Sequence, residues 1–116
     1  MKKIYHLSTC DTNKRILKEL SLPSEFIKQD IKTHPVTEIE LEEMYQFTKS
    51  YEALINKRAR MYSERKLKDK NLQENDFKNL LLEHYTFLKR PVLINNSEIF
   101  IGNSKNTVAL AKKSLN

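Results

Sequence analysis

The spacing of apolar residues changes twice along this chain, and that narrows the folds open to it. Lys3-Ile4-Tyr5-His6-Leu7 is a short run of strand formers. The polar stretch Ser8-Thr9-Cys10-Asp11-Thr12 breaks it. Ile16, Leu17 and Leu20 then fall at helical spacing among Lys14, Arg15, Lys18 and Glu19. This predicts an amphipathic helix beginning just after Cys10 and stopped by Leu22-Pro23-Ser24. Glu25 to Ile31 alternates in part and predicts a second strand, closed by Lys32-Thr33-His34-Pro35. A right-handed crossover in so short a β-α-β unit makes the two strands parallel.

The middle of the chain reads as helix. Thr37-Glu38-Ile39-Glu40 is a capping-box pattern, and Leu41, Met44 and Tyr45 continue an apolar stripe. Tyr51, Leu54 and Ile55 form a short second piece. Asn56 to Asn71 is highly charged and reads as a broken helix or loop anchored by Met61, Tyr62 and Leu67. Asn71-Leu72-Gln73-Glu74 caps a further helix with Phe77, Leu80, Leu81 and Tyr85 inward. The tail returns to strand spacing. Pro91-Val92-Leu93-Ile94 and Glu98-Ile99-Phe100-Ile101 form a hairpin about Asn95-Asn96-Ser97. Gly102 suits a positive φ, and Asn103 caps a last helix carrying Val108, Leu110 and Ala111. The order β-α-β, helical insert at about 37–87, β-β-α predicts one α/β domain over residues 1–116, built on a mixed sheet.

Composition removes whole classes of function. A single cysteine forms no internal disulfide and no Cys-rich metal site. A single glycine builds no phosphate-cradling loop. The start turns polar too soon for a signal peptide, and nowhere do about 18 apolar residues run together as a membrane span requires. The net charge is +6, but acids and bases interleave, as in Glu64-Arg65-Lys66, and no nucleic-acid motif accompanies them. The expectation is a cytoplasmic protein, with no direct nucleic-acid contact, no membrane contact and a reduced Cys10.

Three features carry candidate chemistry. Cys10 lies between a predicted strand and a predicted helix, where unpaired amides favour a thiolate. The competing reading is a buried, inert filler. Arg90-Pro91 opens an apolar strand; the proline is either a simple strand start or a cis bond that fixes the backbone. Lys57, Arg58 and Arg60 form a basic cluster, which is either a solvated face or an anion site. If Arg58 and Arg90 converge on Cys10, their guanidinium groups build an oxyanion pocket. His6 reads as structural, and His34 and His84 share no zinc-like spacing with it, so no metal is expected.

The ordered set Cys10-Asp11-Thr12, Leu54 to Arg58, Leu88-Lys89-Arg90-Pro91-Val92-Leu93-Ile94 and Ile101-Gly102 resembles the arsenate reductase family. That is the glutaredoxin-coupled kind with a thioredoxin-like fold, grouped with Spx-type regulators and YffB-like proteins. The resemblance implies that Cys10 is the nucleophile and that Arg90 and Arg58 hold the oxyanion or thiol adduct. It also implies that Pro91 is cis and that Gly102 is structural. The amides of Asp11, Thr12 and Asn13 would cradle the anion, with Arg60 and Lys57 steering it in. No bound cofactor is implied. Glutathione or another small thiol is the co-substrate, and glutaredoxin is a candidate partner.

The chain departs from the family pattern at three places. Asn13 stands where the Spx-type redox switch has its second cysteine. Asn56 stands where the reductases place an arginine. Ser97-Glu98-Ile99-Phe100 stands where they place another, and Glu98 weakens anion binding there if it faces the pocket. The alternative implied function is a non-catalytic regulator that uses the charged insert as its surface. The glycine with which such regulators contact RNA polymerase lies in their middle region, whereas this chain has its glycine at 102.

Overall fold

In the computed structural model, which describes all of residues 1–116, Lys2–His6 forms strand β1. The polar break after it leads into helix α1 (Asp11–Leu20) and then strand β2 (Ile27–Asp30). The hairpin near the end is β3 (Val92–Asn95) and β4 (Glu98–Ile101), followed by helix α5 (Lys105–Ser114). The strands form one sheet in the order β2-β1-β3-β4. β1 runs parallel to β2 and antiparallel to β3, and β3 is antiparallel to β4.

The chain divides into two compact units. One is Met1–His34 with Arg90–Asn116, and the other is Pro35–Lys89. In the first unit, Ile4 and Leu93 from the sheet pack with Ile16 and Leu20 of α1 and Val108 and Ala111 of α5. This is the pairing expected of amphipathic helices whose apolar stripes face a sheet. Burying a leucine such as Leu93, 2 % exposed, stabilises the chain by roughly 1.5–3 kcal/mol.

The second unit contains α2 (Glu38–Thr48), α3 (Arg60–Glu64) and α4 (Glu74–Glu83), with three tight turns of 3-10 helix between and after them. The expected capping box opens α2. Thr37 Oγ1 accepts the Glu40 N–H at 3.1 Å, and Glu40 Oε1 accepts the Thr37 N–H at 2.9 Å. Leu41, Met44, Leu54, Tyr62, Phe77 and Phe87 are buried in this unit. An antiparallel bridge joins Ile55, after the first 3-10 turn, to Leu88, after the last.

Some expected boundaries move. β2 begins at Ile27 rather than Glu25, because Phe26 turns into the core and its N–H bonds the Pro23 carbonyl at 3.1 Å. Ser104, not Asn103, caps α5, its hydroxyl accepting the Thr107 N–H at 3.1 Å. Leu110 is on the outer face of α5, 49 % exposed. Within the Asn71–Glu74 stretch the α4 cap is Gln73, whose N–H donates to Asp76 Oδ2 at 2.8 Å. The charged stretch Asn56 to Asn71 is short helix and turns, as its mixture of charges and sparse apolar anchors implies.

Candidate functional site

Cys10 is the residue at which the chain changes from extended to helical backbone. Its φ of −95° and ψ of 117° make it the N-cap of α1, and its side chain forms no capping bond. The thiol is half-buried. A serine or asparagine there would satisfy a first-turn amide through its oxygen. Cysteine caps weakly, so the sulfur stays free for other chemistry while the amides of Asp11, Thr12 and Asn13 begin the helix. Those amides carry the positive end of the helix dipole. Asp11 itself is fully exposed, with Lys14 Nζ 3.9 Å from its carboxylate.

The turn between β1 and Cys10 is pinned from both flanks. Asn13 is buried, 1 % exposed, and its Oδ1 accepts the Leu7 N–H at 3.0 Å. The Leu7 carbonyl in turn accepts the Cys10 N–H at 3.0 Å. On the other side, Asp30 at the end of β2 accepts the Ser8 N–H at 3.1 Å and the Ser8 hydroxyl at 2.6 Å. These bonds, the Ser8 hydroxyl foremost, hold the Asp30 carboxyl down at about 2 against the opposing effect of burial. Further bonds come from the Lys32 N–H and the Thr33 hydroxyl.

The register of the sheet sets which candidates share an end. Tyr5 pairs with Val92, so the end of β1 that leads to Cys10 lies beside the start of β3 that follows Arg90-Pro91. Arg90 is half-buried and its bond to Pro91 is cis, in line with the resemblance. The Pro91 carbonyl accepts the Gly102 N–H at 2.9 Å, and Gly102 has a φ of 97°, where an L side chain is strained. The single glycine thus fastens the end of β4 to the start of β3. Glu98 opens β4 opposite Asn95, which itself pairs with Lys2 at the far end of β1. It is exposed and roughly 13 Å of strand away from the end that carries Cys10. The expected interference of Glu98 with an anion beside Cys10 therefore has no geometric basis.

Arg58 and Arg60 belong to the helical unit and are both exposed. The Arg58 N–H donates to Asn56 Oδ1 at 3.1 Å, so Asn56 shapes the turn that presents this arginine. Lys57 is held by Glu52 at 2.5 Å. A groove of about 520 Å3 runs past Asn56, Lys57, Arg58 and Lys89. Of the histidines, His6 ends β1, and burial holds its imidazole below the usual range while Asp30 pulls the other way. His84 Nδ1 accepts the Thr86 N–H at 2.9 Å, and His34 Nδ1 lies 3.0 Å from the Thr33 hydroxyl. No group of three or more His, Cys, Asp and Glu side chains is arranged to hold a metal ion, and no helix is long and apolar enough to cross a membrane.

Ser8 and Asp30 are the site residues that sequence reading missed. Asp30 looks like one more polar position in a short strand until β2 is placed parallel to β1. The two strands then end side by side, His6 opposite Asp30. The available signal is the β-α-β unit itself, in which a polar residue ending the second strand reaches the loop that follows the first.

The combination of a cysteine at this helix start, a cis Arg-Pro bond opening the antiparallel strand and a positive-φ glycine after the hairpin is accompanied by a sequence match. The model of the ArsC family matches residues 5–110. The chain belongs to the ArsC family. No curated protein sequence matches it. Solved structures with the ArsC thioredoxin-like fold resemble it over nearly its whole length. An arsenate reductase from Vibrio cholerae is 23 % identical, with a TM-score of 0.73, covering 95 % of this chain and 96 % of that one. A YffB protein is 20 % identical, with a TM-score of 0.74 and coverage of 96 % and 98 %. A Staphylococcus aureus protein is 26 % identical, with a TM-score of 0.71 and coverage of 92 % and 94 %. The mixed sheet of this ArsC-family chain is therefore the thioredoxin-like sheet of its neighbours.

Proposed function

We propose that this ArsC-family protein is a thiol-dependent reductase with Cys10 as its nucleophile. The observation that carries the reading is the placement of Cys10. It is an N-cap whose sulfur is not committed to capping, on a pinned turn, at the end of the sheet where the Arg90-Pro91 strand begins. Helix-start amides and a guanidinium suit the negative charge that develops on attack.

On a glutathionylated thiol, the Cys10 thiolate attacks the glutathione sulfur. The old S–S bond breaks, and the released thiolate takes a proton from water. A second glutathione thiolate then attacks the Cys10 mixed disulfide, which yields oxidised glutathione and regenerates Cys10. Both electrons come from glutathione or a similar small thiol, because the chain has one cysteine and no internal resolving thiol. Glutaredoxin can perform the second step. Arg90 holds the anionic group of the substrate, whether a glutathione carboxylate or an oxyanion such as arsenate. Arg58 is assigned the same role on the family resemblance alone. A reducing cytoplasm suits this cycle, since it keeps Cys10 as a thiol.

The test is glutathione-dependent reduction of arsenate and of a glutathionylated peptide, with and without glutaredoxin. Wild-type protein is expected to turn over at least one of them. Cys10→Ser should lose turnover by about a thousandfold or more. Arg90→Leu should raise KM or lower kcat/KM by about tenfold or more. Absence of turnover in the wild-type protein on every substrate, with retained capture of RNA polymerase, overturns the reading in favour of a regulator.

A further inference from the structure

We propose that Asp30 and Ser8 form a clamp that positions Cys10, making both of them positioning residues for the thiol. The inference rests on the reading of Cys10 as the nucleophile and names what holds that nucleophile in place. Between the end of β1 and Cys10 stand Leu7, Ser8 and Thr9. Asn13 fixes the Leu7 peptide from within α1, and Leu7 fixes the Cys10 N–H. Both of these contacts lie on the helix side of the turn. From the sheet side, the turn is tied at Ser8, through its N–H and its hydroxyl, both to the one Asp30 carboxylate. Thr9, the remaining residue before Cys10, is exposed.

Asp30 is itself held firmly. The ladder continues past β2, where the Ile31 N–H donates to the His6 carbonyl at 2.9 Å. The Lys32 N–H and Thr33 hydroxyl donate to the same carboxylate from the following turn. A carboxylate accepting several charge-assisted hydrogen bonds has little freedom to swing away. The 2.6 Å bond from Ser8 thus anchors the Cys10 turn to the parallel neighbour of β1. Loosening it lets the turn rotate about its remaining attachment to α1. That changes the angle at which the sulfur leaves the helix start without removing any group that touches substrate. A displacement of about 1 Å at a reacting atom can cost on the order of a hundredfold in rate.

The experiment compares Ser8→Ala, Ser8→Thr, Asp30→Asn and the Ser8→Ala/Asp30→Asn double variant. One readout is the rate of Cys10 alkylation by iodoacetamide at fixed pH, which needs no physiological substrate. The other is kcat and KM with a glutathionylated peptide. Ser8→Ala leaves the net charge unchanged, so it carries the decisive sign. It is expected to slow alkylation about threefold or more and to lower kcat with KM within about twofold. Ser8→Thr keeps the hydroxyl and should restore most of the rate. The double variant should be no slower than the slower single variant, because both changes break one contact.

Glu74→Gln is the control for mere destabilisation. Glu74 accepts the Tyr51 and Glu52 N–H groups in the helical unit, so its loss lowers stability and should leave Cys10 alkylation unchanged. Alkylation in Ser8→Ala and Asp30→Asn at the wild-type rate overturns the clamp, whatever the turnover results. Slowed alkylation in those variants, beside a wild-type protein that reduces nothing, upholds the clamp and overturns the reductase reading alone.

Discussion

The turn before α1 and the segment around Tyr51 are held by the same device, a carboxylate that accepts backbone N–H groups from a distant part of the chain. Asp30 takes the Ser8 N–H with the Ser8 hydroxyl. Glu74 takes the Tyr51 N–H at 2.6 Å and the Glu52 N–H at 3.2 Å. They differ in what surrounds them. The Cys10 turn is backed by the buried Asn13 and joined to a sheet. The Tyr51 segment is anchored by the buried Leu54 and the Tyr45–Tyr51 stack, and the surface of its unit carries exposed ion pairs such as Lys57–Glu52 and Arg65–Glu83. Water competes for every one of the latter and salt screens them, so they add little each. The difference teaches where rigidity is concentrated. The helical unit spreads many weak ties over a charged surface. The sheet unit places a few shielded ones within three residues of its cysteine.

The largest expected effect that sharpens this contrast is at Asn13. Asn13→Ala leaves the buried Leu7 N–H without its acceptor, a loss of about 1–3 kcal/mol. Urea unfolding measures it, and amide exchange at Leu7 should accelerate more than exchange in α4. Equal acceleration in both places would break the comparison.

Asp30 comes next, and its effect depends on pH. Its folded value of about 2 lies below the usual 3.8, chiefly because of the Ser8 hydroxyl bond. The unfolded chain therefore binds the proton more readily, and stability rises with pH through this window. The contribution is complete above pH of about 4 and is lost as pH falls toward 2. It should amount to about 1 kcal/mol, since water still reaches part of the carboxylate. Asp30→Asn should flatten that part of the stability–pH curve in denaturant titrations. An unaltered slope would show that the carboxylate is not held as described.

The smallest effect is expected at Glu83→Gln. It cuts the Arg65 pair on the helical unit and should leave the thermal midpoint unresolved from wild type in about 0.5 M salt, where exposed pairs are screened. A large drop there would show that surface pairs carry more of this unit than its exposure implies.

Much of this arrangement is legible in the sequence because it rests on local pattern. Ile4 to Leu7 followed by Ile16, Leu17 and Leu20 marks a strand, a break and a helix, and Cys10 stands in the break. Thr37 and Glu40 mark their own capping box. Arg90-Pro91 and Gly102 are unusual residues at strand ends and draw attention by type. Asp30 and Asn13 do not. An aspartate and an asparagine in polar stretches look like solvated positions. Their roles arise only when the parallel register sets Asp30 opposite His6 and the helix turns Asn13 back under Leu7. Short-range signals find the proposed nucleophile, and tertiary register finds what holds it. The start of β2 at Ile27 and the α5 cap at Ser104 escape local pattern for a related reason. Phe26 and Ser104 are decided by core burial and hydroxyl geometry, which neighbouring residues do not announce.

The order of the sheet also bears on how copies of this protein meet one another. β2 and β4 are its outer strands, and each is four residues long. β2 carries Ile27, 61 % exposed, directly before the exposed Lys28. A short strand with a lysine on it is a poor template for edge-to-edge pairing, since little ladder forms before charges collide. The net charge of +6 adds a general repulsion between copies at neutral pH. Concentrated stocks should therefore be most prone to self-association in high salt or strongly alkaline buffer, where Ile27 keeps its stickiness and the lysines lose their guard.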